Sequence, residues 1–327
     1  MQTDGPLHHD ADLARVLDGW PPPVLDPAGP YSEPITVLAW ALLIGGTLVL
    51  ALVLVALGVA LFGSGRTKAR LGGEKAIWIF GVACPVVVLT GLLVWGLTLT
   101  SHLSAGLPTG KEMRVRVIGE MWWWRVHYLD AVGRETVRDA NELHIPTGIP
   151  VLLELQSADV IHSFWVPRLG GKMDMVPGRT NRLLIQADRP GIYKGQCAEY
   201  CGGPHALMGF IVIAHDPADF ARWRASRRPA PIAGDLVARG ARLFDTVGCA
   251  ACHTVRGTPA DGMAGPDLTH VGSRGTIGAG ILPNNAGTLA GWIADSQAIK
   301  PGNRMPPYRQ LSADDLRALT AYMASRR

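Results

Sequence analysis

Residues 197–208 read CAEYCGGPHALM and bring Cys197, Cys201, His205 and Met208 into twelve consecutive positions. Two thiols, one imidazole and one thioether in a single loop form a soft ligand set, which favours copper. The upstream segment 157–167, SADVIHSFWVP, offers a second imidazole, His162, between apolar strand residues. We therefore predict a copper site built from this loop and His162 at one edge of a β domain.

Two other metal chemistries fit part of this pattern. A structural zinc held by two cysteines and two histidines would leave Met208 without a role. A copper chaperone would have no use for the second metal domain that the rest of the chain indicates. A copper site accounts for the whole ligand set, including Met208.

A second cysteine pair lies in CAACH at residues 249–253, which is typical of c-type haem attachment. Cys249 and Cys252 are spaced to add to the two vinyl groups, and His253 then lies beneath the iron as its proximal ligand. A zinc half-site is disfavoured because no further cysteine pair follows. Neither close pair suits a disulfide, since bridging near neighbours closes only a short loop.

The sixth ligand of this iron has four candidates, Met263, Met305, Met323 and His270. Met263 follows His253 too closely to reach the far face of the ring, and Met323 lies on an apolar helical stripe, so both are interpreted as packing residues. Met305 lies in GNRMPPY, a loop stiffened by two prolines. We therefore predict Met305, with His270 as the second choice.

The composition indicates that part of the chain lies in lipid. The chain has 327 residues, 48% of them hydrophobic, and a mean hydropathy of +0.16, which is slightly too apolar for an ordinary soluble enzyme of two or three domains. Residues 35–62 and 76–100 carry no charged side chain and are long enough to span a bilayer. We predict two transmembrane helices, with Cys84 as a packing residue in the second.

Charge sets the expected topology. The segment 64–75 between the two helices carries four basic side chains against one acidic one, which predicts a cytoplasmic loop and places both termini outside, in the periplasm or its equivalent. The N-terminal 20 residues are acidic and lack an apolar core, so they are read as neither signal peptide nor anchor, with His8 and His9 in solvent. A net charge of +4 with scattered basic residues excludes nucleic acid as a partner.

Short alternating runs between residues 111 and 215 predict an antiparallel β-sandwich or barrel. Helical patterns are found at 219–228, at 234–244 and at the C-terminus. The predicted fold is thus a multidomain membrane protein with a transmembrane hairpin, an all-β domain and an all-α domain. The predicted boundaries are 1–34 for the N-terminal tail, 35–100 for the membrane helices, 101–215 for the β domain, 216–232 for the linker and 233–327 for the haem domain.

The segment DVIHSFWVP followed by CxExCGxxHxxM resembles the CuA domain of cytochrome oxidase subunit II, a cupredoxin-like barrel. With two membrane helices in front and a class I cytochrome c domain behind, nearly the whole chain is similar to subunit II of the caa-type oxidases. The resemblance implies a binuclear copper centre in which bridging thiolates let one electron spread over both coppers, so that little geometry changes on reduction. It implies these ligands: bridging Cys197 and Cys201, terminal His162 and His205, weak Met208, and the backbone carbonyl of Glu199.

Three further residues take roles from the same resemblance. The carboxylate of Glu199 is expected to face a magnesium or manganese site shared with subunit I. Trp122, in GEMWWWRVHY, matches the first aromatic of the family's electron-accepting run, although Trp122 and its neighbours also suit simple packing. Glu74 is a candidate mouth of a proton channel, but it lies one position before the family's acid, and a helix N-terminal acid is the alternative.

The resemblance implies a respiratory oxidase subunit that passes electrons from a donor through haem c and CuA to the catalytic subunit I, which reduces dioxygen. The expected partners are subunit I, subunit III, and cytochrome c or a cytochrome bc complex as the donor, in a bacterial cell membrane. Two alternatives stay open: the subunit through which electrons enter a CuA-containing nitric oxide reductase, and a membrane-tethered electron shuttle. A quinol oxidase subunit is disfavoured because that relative lacks the copper ligands.

Overall fold

The computed structural model describes residues 22–104, 110 and 112–327. The chain divides into two units, one comprising Glu33–Leu107 and the other the described residues before and after it. His8 and His9 lie outside the described residues. Each unit is described by itself.

The first unit contains two helices that are long and apolar enough to cross a membrane, Glu33–Phe62 and Glu74–Leu103. Thirty residues of α-helix extend over about 45 Å, which exceeds the ~30 Å hydrocarbon core of a bilayer. Both helices begin slightly before the predicted spans 35–62 and 76–100, because Glu33 and Glu74 are polar first-turn residues that a charge-free window omits. The second helix includes a π-helical segment, Ile77–Ala83, and extends past the predicted end to include His102.

Polar side chains within these helices bond to their own backbone. Thr47 donates to the carbonyl of Leu43 at 2.7 Å, and Thr100 donates to that of Gly96 at 2.8 Å. A hydroxyl that would be costly to leave unpaired in lipid is thereby satisfied within its own helix. A short helix, Gly65–Leu71, lies in the basic connection and is capped by Ser64.

The β domain consists of two five-stranded sheets with the order β3-β2-β1-β5-β8 and β4-β10-β9-β6-β7. The strands are β1 Met113–Glu120, β2 Trp123–Leu129, β3 Glu135–Ala140, β4 Glu142–Pro146, β5 Val151–Ser157, β6 His162–Trp165, β7 Met173–Met175, β8 Asn181–Ile185, β9 Gly191–Cys197 and β10 Gly209–His215. The predicted β-sandwich is confirmed, and most of its strand pairs are antiparallel as predicted, but β1 pairs with β5 and β4 with β10 in parallel. These pairs join strands far apart in sequence, which a local pattern does not reveal.

The inner faces of the two sheets form one apolar core. Trp124 is fully buried and contacts the rings of Phe164 and Phe210 edge-on, with centroids 6.0 and 5.7 Å apart. Its indole also donates to the carbonyl of Gly209 at 2.9 Å, so the polar end is satisfied. Of the three consecutive tryptophans, Trp124 therefore has the packing role, and its ring centroid is 6.1 Å from that of His162.

A helix, Pro217–Ala225, precedes the α domain. It begins before the predicted 219–228 because Pro217 occupies its first turn, and it also ends earlier than predicted. The domain's helices are Asp235–Thr246, Ala286–Ile299 and Ala313–Ala324. The first and last pack together, with Phe244 and Tyr322 edge-on at 5.7 Å. The middle helix was not predicted; its apolar residues do not form one stripe, and it begins at a capping box of Asn285 and Thr288.

The β and α domains lie in the same unit and meet at a seam with buried polar contacts. Asp139 of β3 accepts from the Nε of Arg274 at 2.8 Å, and both side chains are buried. Glu142 of β4 accepts from the backbone N–H of Thr276 at 2.8 Å, and burial raises the pKa of this carboxyl to about 7. Because breaking a buried pair is strongly unfavourable, these contacts fix the α domain in one position on the β domain.

Candidate metal and haem sites

The predicted copper ligands meet at the ends of three neighbouring strands. His162 begins β6, Cys197 ends β9, and Met208 immediately precedes β10. The backbone ties these ends together, since the N–H of Cys197 donates to the carbonyl of Met208 at 2.9 Å. His205 lies in a single 3-10 turn, His205–Leu207, which returns the loop to the sheet.

The side chains of this loop converge on the two cysteine sulfurs. The Sγ atoms of Cys197 and Cys201 are 3.7 Å apart, and both cysteines are unpaired and buried. The other ligand atoms surround the two sulfurs. The Cys197 sulfur lies 3.9 Å from Nδ1 of His162 and 3.2 Å from the carbonyl of Glu199. The Cys201 sulfur lies 3.4 Å from Nδ1 of His205 and 3.8 Å from Sδ of Met208.

The residues of this cluster fit a two-metal thiolate site. Each sulfur has its own imidazole and its own weak donor, a carbonyl on one side and a thioether on the other. The hydrogen bond between the two thiols holds the pKa of Cys197 well below its ordinary value, and the same bond together with burial raises that of Cys201. A thiolate in a buried soft donor set favours copper over harder cations.

A carboxylate outside the loop orients one of the imidazoles. Asp159 Oδ1 lies 2.9 Å from Nε2 of His162, which leaves Nδ1 facing Cys197. Although burial acts in the opposite direction, hydrogen bonds from His162 and from the backbone N–H of Met121 lower the pKa of Asp159. Gly119 packs against the same ring, where an added Cβ would lie only 2.8 Å from it. Sequence reasoning missed both supporting residues, although Asp159 lies in the segment that contains His162.

Glu199 and Trp122 take different positions around the loop. The carboxylate of Glu199 is 45% exposed, with Lys172 at 3.9 Å. The indole of Trp122 donates to the carbonyl of Cys201 at 2.9 Å, and the same side chain lines a cavity in the seam with the α domain. Trp122 thus contacts the copper loop and also lines the cavity in the seam.

That cavity has a volume of about 380 Å³, and Cys249, Cys252 and His253 line it. Nδ1 of His253 bonds to the carbonyl of Pro266 at 2.8 Å, so Nε2 is the nitrogen available to an iron. Burial lowers the pKa of His253, which favours the neutral imidazole that a metal requires. Two unpaired thiols beside an oriented imidazole fit a covalently attached haem.

The candidates for the sixth ligand differ in position. Met305, Met263 and Met323 line the cavity, whereas His270 is buried and is not among its lining residues. Three polar contacts fix the backbone of Met305: its N–H donates to Asn303, and its carbonyl accepts from Ser296 and Gln297.

The expectation that Met263 and Met323 pack was right for one of them. Met323 is buried in the core of the α domain. Met263 is 48% exposed, because the glycine-rich segment around it lies on the surface, and its Sδ lies 3.9 Å from the Arg138 guanidinium of the β domain.

Comparisons with known proteins agree in family. A family model described as the periplasmic domain of cytochrome c oxidase subunit II matches residues 134–215, and a cytochrome c model matches 237–327. The chain is 35% identical to cytochrome c oxidase subunit 2 of Alkalihalophilus pseudofirmus, covering 92% of this chain and 90% of that one. It is 30% identical to the Bacillus subtilis protein of the same name, over 80% and 77% of the two chains. The solved periplasmic domain of subunit II from Bradyrhizobium japonicum is 28% identical, covers 36% of this chain and 94% of that one, and has a TM-score of 0.33.

Proposed function

The chain belongs to the family of cytochrome c oxidase subunit II, and from this premise we propose that it is the subunit through which electrons enter a respiratory haem–copper oxidase. The family and the two metal domains make it part of an oxidoreductase that uses CuA copper and haem c. When bound, these groups supply one-electron chemistry, with electrons passing from a cytochrome donor through haem c and CuA to subunit I, where dioxygen is reduced to water.

We assign the residues that hold each group from their positions. For the copper pair they are His162, Cys197, Glu199 through its carbonyl, Cys201, His205 and Met208; for the haem they are Cys249, Cys252, His253 and Met305. The carboxylate of Glu199 is 45% exposed, and we propose that it contributes to a magnesium or manganese site shared with subunit I. We also propose the domain boundaries 1–34 for the N-terminal tail, 35–100 for the membrane helices, 101–215 for the copper domain, 216–232 for the linker and 233–327 for the haem domain.

The observation that carries this function is the position of Trp122 between the two sites. Its indole bonds to the Cys201 carbonyl at 2.9 Å and lines the haem cavity. In this chain the cavity that Trp122 lines is also lined by the haem-attachment residues of the α domain, Cys249, Cys252 and His253. We propose that Trp122 receives electrons from the tethered haem rather than directly from a soluble donor.

The proposed setting is a bacterial cell membrane. Two apolar helices and a periplasmic-type domain make the chain a membrane protein with an extracytoplasmic domain. A subunit of this family works with subunit I, and we propose subunit III and a cytochrome c or cytochrome bc complex as further partners. The basic connection around Gly65–Leu71 then faces the cytoplasm.

Co-purification and gas consumption test this function. Isolation with a large haem–copper partner that consumes dioxygen supports it. Isolation without such a partner would favour an electron shuttle, and consumption of nitric oxide instead of dioxygen would favour a reductase.

Removing the carboxylate of Asp159 is expected to weaken copper binding while the haem stays covalently attached. Asp159 also pairs with Arg304, beside Met305, at 3.5 Å, so attachment of the haem and not its ligation is the readout of the second site. Asp159→Ala takes away the acceptor that holds the His162 ring, and losing such a partner typically lowers metal affinity about 10–100-fold. Titrating copper out with a chelator while following the copper absorption measures this. Asp159→Asn, whose amide oxygen still accepts a hydrogen bond, should retain more copper than Asp159→Ala. Equal retention of copper by the wild type and Asp159→Ala would contradict the role of Asp159 in orienting His162.

Glu74 is proposed as a proton entrance, and Glu74→Ala is then expected to slow steady-state turnover while reduction of CuA by haem c keeps its rate. Glu74 is an exposed first-turn residue that follows Gly73, which offers no side-chain cap. Stopped-flow measurement of CuA reduction, together with the steady-state rate of oxygen consumption, separates electron transfer from turnover. Glu33→Ala, which removes the first-turn acid of the other helix, is the control. Wild-type turnover in Glu74→Ala would leave this acid with only its macrodipole role.

A further inference from the structure

Lys300 is an almost completely buried lysine at the seam between the two metal domains. It follows the helix Ala286–Ile299 of the α domain, and its side chain is part of a residue only 2% exposed. A lysine is almost never buried to this degree without a paired acid. Among the residues that the structure describes, no carboxylate lies within 4.0 Å of its ammonium.

Three backbone carbonyls replace the missing acid. Nζ of Lys300 donates to the carbonyls of Trp122 and Leu207, each at 2.7 Å, and to that of Gly278 at 3.0 Å. These bonds use all three donors of an ammonium group. Carbonyl dipoles stabilise the cation but do not neutralise it, so a net positive charge remains in a poorly hydrated place.

Two of the three acceptors belong to the surroundings of the copper loop. Leu207 immediately precedes the ligand Met208, and Trp122 donates through its indole to the carbonyl of the ligand Cys201. Lys300 also lines the haem cavity. The cation therefore lies between the two proposed redox centres and is bonded to the loop that holds one of them.

A buried charge at this place has two physical consequences. The hydrogen bonds of the ammonium join the α domain to the copper loop. A second bond crosses the same seam, from the backbone N–H of Gly209 to the carbonyl of Ala279 at 2.9 Å. The buried charge also favours the reduced form of a nearby metal centre, because adding an electron next to a fixed positive charge is easier than adding it next to a neutral group. Water screens it little.

We propose that Lys300 is a positioning residue for electron transfer between the domains, which clamps the α domain onto the copper loop and raises the reduction potential of the copper centre. This inference rests on the proposed function. Burial lowers the pKa of Lys300 to about 7, although the charge of the nearby Cys201 thiol acts in the opposite direction, so the ammonium form predominates at pH 6.

The test compares Lys300→Met, which keeps the length but removes both charge and donors, with Lys300→Gln, which keeps a donor but removes the charge. Both are made in the full chain within its complex. We expect a lower copper midpoint potential in both variants, by spectroelectrochemistry at pH 6. In Lys300→Met we also expect faster amide exchange at Gly209, which reports a loosened seam.

Lys172→Met is the matched control. Lys172 is also a lysine beside the copper loop, 3.9 Å from Glu199, but it is half-exposed and its charge is screened by water. Its loss should shift the copper potential less than either change at Lys300. Each preparation is first checked for the two-copper resonance signal and for attached haem.

The outcomes separate the two proposals. Absence of the two-copper signal from the wild type would overturn the proposed function itself. If both centres are present in all proteins and the copper potential of Lys300→Met and Lys300→Gln equals that of the wild type, only the role of Lys300 is overturned. If one of the two Lys300 variants fails to bind copper or haem, the comparison is made with the other Lys300 variant.

Discussion

Cys197→Ser is expected to abolish the magnetic resonance signal of an electron shared by two coppers, while haem c stays attached. The Cys197 sulfur is 3.7 Å from that of Cys201, 3.2 Å from the Glu199 carbonyl and 3.9 Å from the His162 ring, so it lies at the centre of the cluster. A hydroxyl is a poor replacement for a bridging soft thiolate. Electron paramagnetic resonance of copper and visible absorption of the haem report on the two domains separately.

The matched control is Cys84→Ser, which changes the one cysteine outside both pairs, in an exposed position on the second membrane helix. It should leave the copper signal unchanged. An unaltered two-copper spectrum in Cys197→Ser would exclude the proposed bridging role. Loss of both the copper signal and the haem would instead indicate that the mutant protein does not fold.

Met305→Ala is expected to remove the sixth ligand of the haem iron and to lower its reduction potential. Methionine opposite histidine raises the potential of a c-type haem, because the thioether favours the reduced iron. The backbone of Met305 is held by Asn303, Ser296 and Gln297, so its side chain has a fixed origin at the cavity wall. Loss of the sulfur-to-iron absorption of the oxidised protein, together with the fall in potential, checks this.

Met263→Ala is the control for that experiment, since Met263 lines the same cavity but is half-exposed. It should keep the sulfur-to-iron absorption. Met323→Ala is less suitable, because removing a buried methionine typically costs about 2–5 kcal/mol of stability. Persistence of the absorption in Met305→Ala would transfer the ligand role to another residue.

The parts of the fold that could be predicted are those with a local pattern. The two charge-free stretches predicted the membrane helices to within three residues at each end, and the short alternating runs between residues 111 and 215 predicted a β domain where β1 to β10 lie. The parallel pairings depend on contacts between distant segments, on which a local pattern carries no information.

The candidate copper and haem residues were predictable because they lie in short motifs, and the structure brings each set together. The supporting residues were not. Asp159 and Gly119 act on the His162 ring from a loop and a neighbouring strand, and their role depends on an approach of a few ångströms. Lys300 appears in the sequence as an ordinary surface-type residue; only the docking of the two domains buries it.

Whether this chain holds a binuclear copper centre beside a covalent haem c can be decided by electron paramagnetic resonance of the wild-type chain separated from its partner subunits, together with its ratio of copper to covalently attached haem. We predict two coppers for each haem and a hyperfine pattern in which the unpaired electron couples equally to two copper nuclei. One copper for each haem, with a hyperfine pattern from a single nucleus, would contradict the account.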